Sequence, residues 1–393
     1  LYRHWEIGTL AAYDYILAGG GCAGLSLAYH LIHSPLRARS VLVVDPEPKD
    51  RNDRTWCFWT TEPTLVDAAV YRSWRYLRIT GAGLERTFDL DPYRYKMVRG
   101  IDYYRLTGGA LAQRPNVTLL QGRVEAIEDG DDGARVWVDG QTHTAPWVFD
   151  SRYVADEFAP DASRYHDVKQ HFRGLVIQAE AGCFDPAVPT WFDFRTPQRG
   201  ALRFIYILPF SAREALVEYT LFSPHLLSEA EYDDALREYI EKVLQLRSYR
   251  IVKRETGRIP MTDQPFPRRA GRRILNTGTR GGRVKASTGF AFLRAQRDSA
   301  AIVASLLRHG HPFDLPSPPA RYRLFDSLML QVMSRGGDCA ALYAQLFRNN
   351  PIQRLLGFLD ERNTLWQDLQ VLASLPPWPF LQALWRHRIL RRI

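Results

Sequence analysis

Two apolar runs, residues 13–18 and 41–44, flank a stretch at 23–33 whose apolar positions recur at helical spacing. Short apolar runs bounded by turn residues predict buried strands, so the chain opens as strand, helix, strand. Residues 66–80 and 87–98 then read as short strands with loops, 102–113 as a helix, and 117–120 and 122–128 as strands. Alternation over 134–138 and 141–145 about Asp139-Gly140 predicts a hairpin. An apolar strand at 147–149 ends in Asp150-Ser151-Arg152. From residue 168 the strands lengthen and fill with aromatics, and 168–180, 191–194, 202–208 and 215–222 predict one antiparallel sheet. Ser228 with Glu231 is a capping box opening a helix to about residue 246, and 251–259 returns as a strand. A strand at 272–275, a helix at 290–307, a Pro-rich linker at 309–319 and a helical remainder complete the pattern. Helix starts fall at Ser317-Pro318 and at Thr364 with Gln367.

This order predicts an α/β fold. A Rossmann-type nucleotide domain takes residues 11–158 and 260–310, an antiparallel β substrate domain is inserted at 165–259, and a helical region follows at 316–393. The length of 393 residues suits two or three domains.

Chemistry enters at the first turn. Gly19, Gly21 and Gly24 fit GxGxxG between strand and helix, and the second strand ends in Asp45, 21 positions after Gly24. In such a unit the first glycine permits the turn, the second admits a pyrophosphate, and the third lets helix and strand pack. The diphosphate rests on the helix N-terminus, and the acid accepts from a ribose hydroxyl, which favours FAD or NAD over NADP. Residues 51–59 mix charge and aromatics without a period and predict a loop. Either it lies close to the cofactor, with Arg54 near the phosphates or flavin, or its Trp56, Phe58 and Trp59 simply pack. A second glycine-rich loop, with Gly278, Gly281, Gly282 and Gly289, precedes the helix at 290–307 and suits the flavin-ring end of FAD.

The apolar fraction of 46% supports a large core. The four cysteines, Cys22, Cys57, Cys183 and Cys339, show neither metal spacing nor a disulfide framework, which suits a reducing cytoplasm. No signal peptide is visible, and no run nears the roughly 18 apolar residues of a membrane span. Net charge is +9, carried almost entirely by arginine, with no nucleic-acid motif. A basic surface is compatible with plain solubility or with an anionic membrane surface. At the C-terminus Trp378, Phe380, Leu384 and Trp385 stand beside Arg386, Arg388, Arg391 and Arg392. That mixture suits a lipid interface or, equally, a terminal helix docked on the core.

Glu218 is out of place locally, lying in mid-strand between Leu216, Val217 and Leu221. Strand alternation puts Glu218, Thr220 and Phe222 on one face and Val217, Tyr219 and Leu221 on the other. If that face is covered, the carboxyl is costly unless neutral or paired; if not, it sits in water. Phe204, Tyr206 and Tyr219 are candidates to face a tunnel or a cation, and each could equally be core.

Four blocks resemble the bacterial lycopene cyclase family in order and spacing: YDYILAGGGCAGLSLA, NDRTWCFW, RFIYILPFSAREALVEYTLFS and GTRGGRVKASTGF. The resemblance covers about residues 13–308. It implies the FAD-binding fold of aromatic hydroxylases and geranylgeranyl reductases. It also implies cyclisation of the ψ end groups of lycopene to β-ionone rings, without net redox change, using reduced FAD and NADPH as electron source. The family's acidic motif matches residues 217–220, so the resemblance makes Glu218 the acid. The cofactor set it implies is Gly19, Gly21, Cys22, Ala23, Gly24, Asp45, Arg54, Val124 and Asp150, with Gly278, Thr279, Gly281, Thr288 and Gly289; no metal is expected. Two positions depart from wider relatives: Thr279 follows Gly278 where many carry Gly-Asp, and Ser151 stands where Asp-Gly-Arg is usual. Expected partners are lycopene and related carotenes, with peripheral membrane contact from the cytoplasmic side. An FAD monooxygenase or isoprenoid reductase of the same fold is the alternative.

Overall fold

The computed structural model describes residues 11–386 apart from Gly337. Its central sheet has five parallel strands in the order Ile274–Asn276, Trp147–Asp150, Tyr15–Ala18, Val41–Asp45, Val117–Gln121. The inner strands are continuously apolar because both faces are covered. Leu17, Val41, Val43 and Phe149 pack on helices Cys22–Ile32 and Phe292–His309. Ile16, Leu42, Val44 and Val148 pack on Val124, Val136 and Val138 of a small second sheet. That sheet runs Ala11–Ala12, Gln141–Ala145, Ala134–Val138, Val124–Glu128, and its hairpin turns at Asp139-Gly140 as the alternation predicts.

Residues 51–59 are not a loop throughout. Thr55–Thr60 is a strand that pairs with Arg94–Arg99, which also pairs with Val70–Trp74. Its period is hidden because both faces meet aromatics: Phe58 stacks on Phe292, while Trp59 meets Trp191 and Phe290.

The long strands form a seven-stranded sheet. Its order is Tyr249–Met261, Val168–Ala179, Glu214–Ser223, Leu202–Pro209, Thr190–Asp193, Tyr76–Gly81, Leu84–Asp89. Pairing is antiparallel, as predicted for the aromatic-rich strands, except between Thr190–Asp193 and Tyr76–Gly81. One face carries Val217, Tyr219 and Leu221 against Tyr232, Leu236 and Ile240. The helix that supplies Tyr232 and Leu236, Glu229–Glu238, begins at the predicted capping box. Instead of continuing to residue 246 it ends in a π turn, Tyr239–Val243, where the Tyr239 hydroxyl donates to buried Asp193.

The other face carries Phe192, Phe204, Leu216 and Phe222 against Tyr343, Phe347, Leu356 and Val371 of the C-terminal helices. These are Ala320–Met333, Cys339–Asn349, Ile352–Leu359, Leu365–Ala373 and Pro377–Arg386. The first starts after Pro319 rather than at Ser317-Pro318, because a residue preceding proline is pushed out of the helical region. The box of Thr364 with Gln367 forms as predicted. Arg388, Arg391 and Arg392 lie outside the described residues.

Candidate functional site

The first glycine turn is built as the spacing requires. Gly19, at φ +110°, ends its strand, and its N–H donates to Val44 O at 2.8 Å. A Cβ on Gly24 would overlap the carbonyl oxygen of Gly19, so the helix can pass the turn only as glycine. A Cβ on Gly21 would meet nothing within 4 Å. That open space faces a cleft of about 1340 Å³, whose wall includes Gly19, Gly21 and Asp45. The helix has no side-chain cap and no acid in its first turn, so the N–H groups at Cys22 and Ala23 face outward without an intrahelical partner. Such an end attracts an anion.

Asp45 Oδ2 accepts from Gly20 N–H at 2.7 Å, and Oδ1 accepts from Glu47 N–H at 2.9 Å and pairs with Lys49 at 2.8 Å. The carboxylate therefore shapes the turn while facing the cleft. Arg54, Val124, Thr279, Thr288 and Gly289 also line it. Cys22, Ala23, Gly24, Asp150, Gly278 and Gly281 are not among the residues that line it. Burial pushes the Cys22 thiol up to about 12. Asp150 is buried, its Oδ2 held by Arg152 at 2.9 Å and Arg280 at 3.0 Å. Ser151 Oγ donates to Ala18 O and Gly19 O, a use for the hydroxyl that glycine there would lack. A Cβ on Gly278 would lie 2.8 Å from Ala23 Cβ, so the second glycine loop rests against the start of the first helix.

The cleft wall also includes Glu218, together with Tyr206, Leu208, Leu216, Cys57 and Tyr95. Alternation is as predicted: Glu218 and Thr220 share a face, and Tyr219 is buried on the other, its hydroxyl accepting from Arg203 at 2.9 Å. Thr220 Oγ1 donates to Glu218 Oε1 at 2.8 Å. Burial raises the Glu218 carboxyl to about 8, the nearby Glu255 charge adds to the rise, and the Thr220 bond opposes it. Of the three candidate aromatics, Tyr206 lines the cleft beside Glu218, its register partner on the adjacent strand, while Phe204 is fully buried in core.

Beside the cleft lies a smaller cavity of about 60 Å³, almost wholly apolar, that shares Tyr206, Thr288 and Phe290 with it. Its other walls include Trp191, Phe222, Phe347, Leu372 and Phe380. The two helices supplying Leu372 and Phe380 expose Leu365, Trp366, Leu369, Trp378, Leu381 and Trp385. No described helix is long and apolar enough to cross a membrane.

Sequence reasoning passed over two residues, Glu255 and Gln170, while Thr288 was in the expected cofactor set. Glu255 stands on the inward phase of its strand, a signal available from alternation alone. Gln170 Oε1 and Thr288 Oγ1 are buried in the cleft without hydrogen-bond partners. Buried polar atoms are rarely left unpaired, so a polar ligand edge fits there.

A parallel nucleotide sheet, a glycine cradle and a large antiparallel sheet sharing one cleft define the fold of FAD-dependent monooxygenases and geranylgeranyl reductases. Solved structures agree on the fold. A geranylgeranyl bacteriochlorophyll reductase-like protein from Thermoplasma acidophilum is 14% identical with a TM-score of 0.58, covering 98% of this chain and 99% of its own. A flavoprotein/dehydrogenase from Cytophaga hutchinsonii is 12% identical with a TM-score of 0.63, covering 88% and 92%. PqsL, described as a probable FAD-dependent monooxygenase from Pseudomonas aeruginosa, is 15% identical with a TM-score of 0.56, covering 92% and 100%. No curated protein matches the chain significantly. The family model described as "Lycopene cyclase protein" matches residues 14–385, and the chain belongs to the lycopene cyclase family.

Proposed function

We propose that the protein is a lycopene beta-cyclase, turning the ψ end groups of lycopene into β-ionone rings to give γ-carotene and then β-carotene. The observation that carries this reading is Glu218, a buried carboxyl on the cleft wall, which burial and then the nearby Glu255 charge push well above the ordinary carboxylate range, toward holding its proton at neutral pH. An ordinary glutamate is ionised there and has no proton to give.

Glu218 gives its proton to carbon 2 of the lycopene end, leaving a cation at carbon 1. Carbon 6 of the 5,6-alkene bonds to carbon 1, and the charge moves to carbon 5. Loss of the carbon 6 proton closes the account of atoms and leaves the β ring. Tyr206, beside Glu218 on the adjacent strand, is the aromatic that would stabilise the cation in this reading. The apolar cavity beside it, about 60 Å³, takes only a few carbon atoms as it stands and has to widen to admit the polyene tail.

The cradle fits FAD: Gly21 leaves space for the diphosphate, the uncapped helix start receives it, Asp45 meets the ribose, and Gln170 and Thr288 await a polar ring edge. Two of the fold neighbours are described as FAD-dependent or as flavoproteins. Reduced, anionic FAD bound there would supply negative charge against the cation. NADPH is the electron source in this reading. In it, residues 11–158 with 260–310 hold the cofactor, 165–259 the reacting end, and 316–393 cover it. The strands at residues 76–89 extend the substrate sheet.

Lycopene is insoluble in water, so the enzyme takes it from lipid. The exposed Trp366, Trp378 and Leu381 belong to the two helices that wall the apolar cavity, which supports peripheral contact with lipid; the cytoplasmic side is part of the reading. Anaerobic incubation with lycopene in liposomes, with reduced or oxidised FAD, tests the reading. β-Carotene with reduced FAD alone and without stoichiometric NADPH use is expected. Stoichiometric NADPH consumption with an oxygenated or hydrogenated product would instead favour the monooxygenase or reductase of the same fold.

A further inference from the structure

Two glutamates from strands that are not neighbours face each other across a glycine. In the register, Glu218 pairs with Gly174, and Gly174 pairs with Glu255. Residues in one rung present their side chains on the same face of a sheet. A Cβ on Gly174 would lie 2.9 Å from Leu216 Cδ1, 3.1 Å from Glu255 Cγ and 3.5 Å from Glu218 Cβ, so Leu216 and the two glutamates border the space that glycine leaves. The Glu255 side chain is only 6% exposed. Thr55 Oγ1 donates to its Oε2 at 3.1 Å, and Lys253 Nζ lies 3.2 Å from the same oxygen. Among the described residues, Glu218 has only the Thr220 hydroxyl. Cation and donors therefore place the negative charge of the pair on Glu255 and the proton on Glu218.

The titratable groups that approach Glu218 from the other elements are Cys57, Tyr95 and Tyr206. Burial pushes the Cys57 thiol up to about 12 and both phenols well above their usual range, so all three stay neutral. Among the described residues, the charges on this face beside Glu218 are those of Glu255 and Lys253.

We propose that Glu255 is a positioning residue: its carboxylate, held by Lys253 and Thr55 across the Gly174 gap, keeps the shared proton on Glu218. This rests on reading Glu218 as the acid of the cyclisation. When Glu218 has given its proton to the alkene, two carboxylates face each other. Their repulsion favours return of the carbon 6 proton to Glu218, so the acid is restored each turnover and no proton is gained or lost overall.

The test is an infrared pH titration of holoenzyme with oxidised flavin, following the protonated-carboxyl band that disappears in Glu218→Gln. The wild-type midpoint is expected at about 8. Two strand spacings are about 10 Å, and at an effective dielectric constant of about 20 one charge at that range moves a midpoint by about one pH unit. Glu255→Gln should lower the midpoint by that amount, and Glu255→Asp should leave it nearly in place. Lys253→Met, on the edge strand, should raise it and serves if Glu255→Gln does not fold. A midpoint unmoved in Glu255→Gln, or in Lys253→Met where that variant has to stand in, overturns the proposal. The band reads the proton without turnover, so the two readings fail separately. A moved midpoint in an enzyme that makes no β-carotene keeps the pair and removes the cyclase; an unmoved midpoint in an active cyclase does the reverse.

Discussion

Gly21→Val should separate cofactor binding from folding, and Gly24→Ala should do the opposite. Gly21 has φ −80° and ψ −164°, extended backbone that valine adopts readily, and a Cβ there meets nothing within 4 Å. The fold loses only the small preference for glycine over an apolar residue at a helix cap, about 0.5–1 kcal/mol. The valine side chain fills the space the proposed diphosphate needs. Losing two charge-assisted N–H bonds to phosphate, at about 1.5–3 kcal/mol each, weakens FAD binding by roughly 10²–10⁴-fold. At Gly24 the added carbon overlaps the Gly19 oxygen and stands 3.0 Å from the Gly19 carbonyl carbon. Both are backbone atoms of a turn held at φ +110°, so strain of about 1–3 kcal/mol or more falls on the apoprotein itself. Flavin content on purification, FAD affinity by fluorescence quenching and thermal unfolding of the apoprotein read the two effects. A Gly21→Val protein that keeps a full complement of tightly held flavin would refute the cradle, and an apo Gly24→Ala protein as stable as wild type would refute the packing argument.

Three further outcomes follow from the same geometry. Asp45→Ala should weaken FAD by about 1.5–3 kcal/mol, or roughly 10–100-fold, with Asp45→Asn losing less; equal affinities by titration would detach Asp45 from the ribose. Trp366→Ser combined with Trp378→Ser should lower partitioning onto anionic liposomes by up to roughly 10²–10⁴-fold, since burying each large apolar side chain contributes about 1.5–3 kcal/mol; unchanged sedimentation would remove this face from the account. The Glu218 carboxyl is raised from 4.5 to about 8, so its contribution to stability is fully present below about 4.5 and is lost as pH climbs through 8. The loss is up to about 1.4 kcal/mol per pH unit, and Glu218→Gln should flatten that part of the stability profile; identical profiles for both proteins in denaturant would show that Glu218 is not proton-bearing in the fold.

How much of this was legible depended on how local the determinants were. The glycine spacing at Gly19, Gly21 and Gly24 and the apolar runs beside it encode the nucleotide unit within about 35 residues, and the structure follows them. Alternation alone put Glu218 and Tyr219 on opposite faces, and two capping boxes marked helix starts. Thr55–Thr60 escaped because a strand with aromatics on both faces has no amphipathic period. The Glu255 partnership escaped for a different reason. It depends on register across three strands, joining residues 174, 218 and 255, and on the missing side chain between them. Trp366 could not be told from core by spacing, because an apolar helix position reads alike whether it meets another helix or a lipid surface.

The most direct test of the central claim is anaerobic turnover of lycopene by Glu218→Gln loaded with fully reduced FAD. Glutamine keeps the size of the side chain and has no proton to donate. With flavin content and liposome binding matched to wild type, β-carotene formation should fall by at least the 10²–10⁴-fold typical of a lost general acid, with lycopene recovered unchanged. β-Carotene at close to the wild-type rate would contradict the account and move the proton donor away from Glu218.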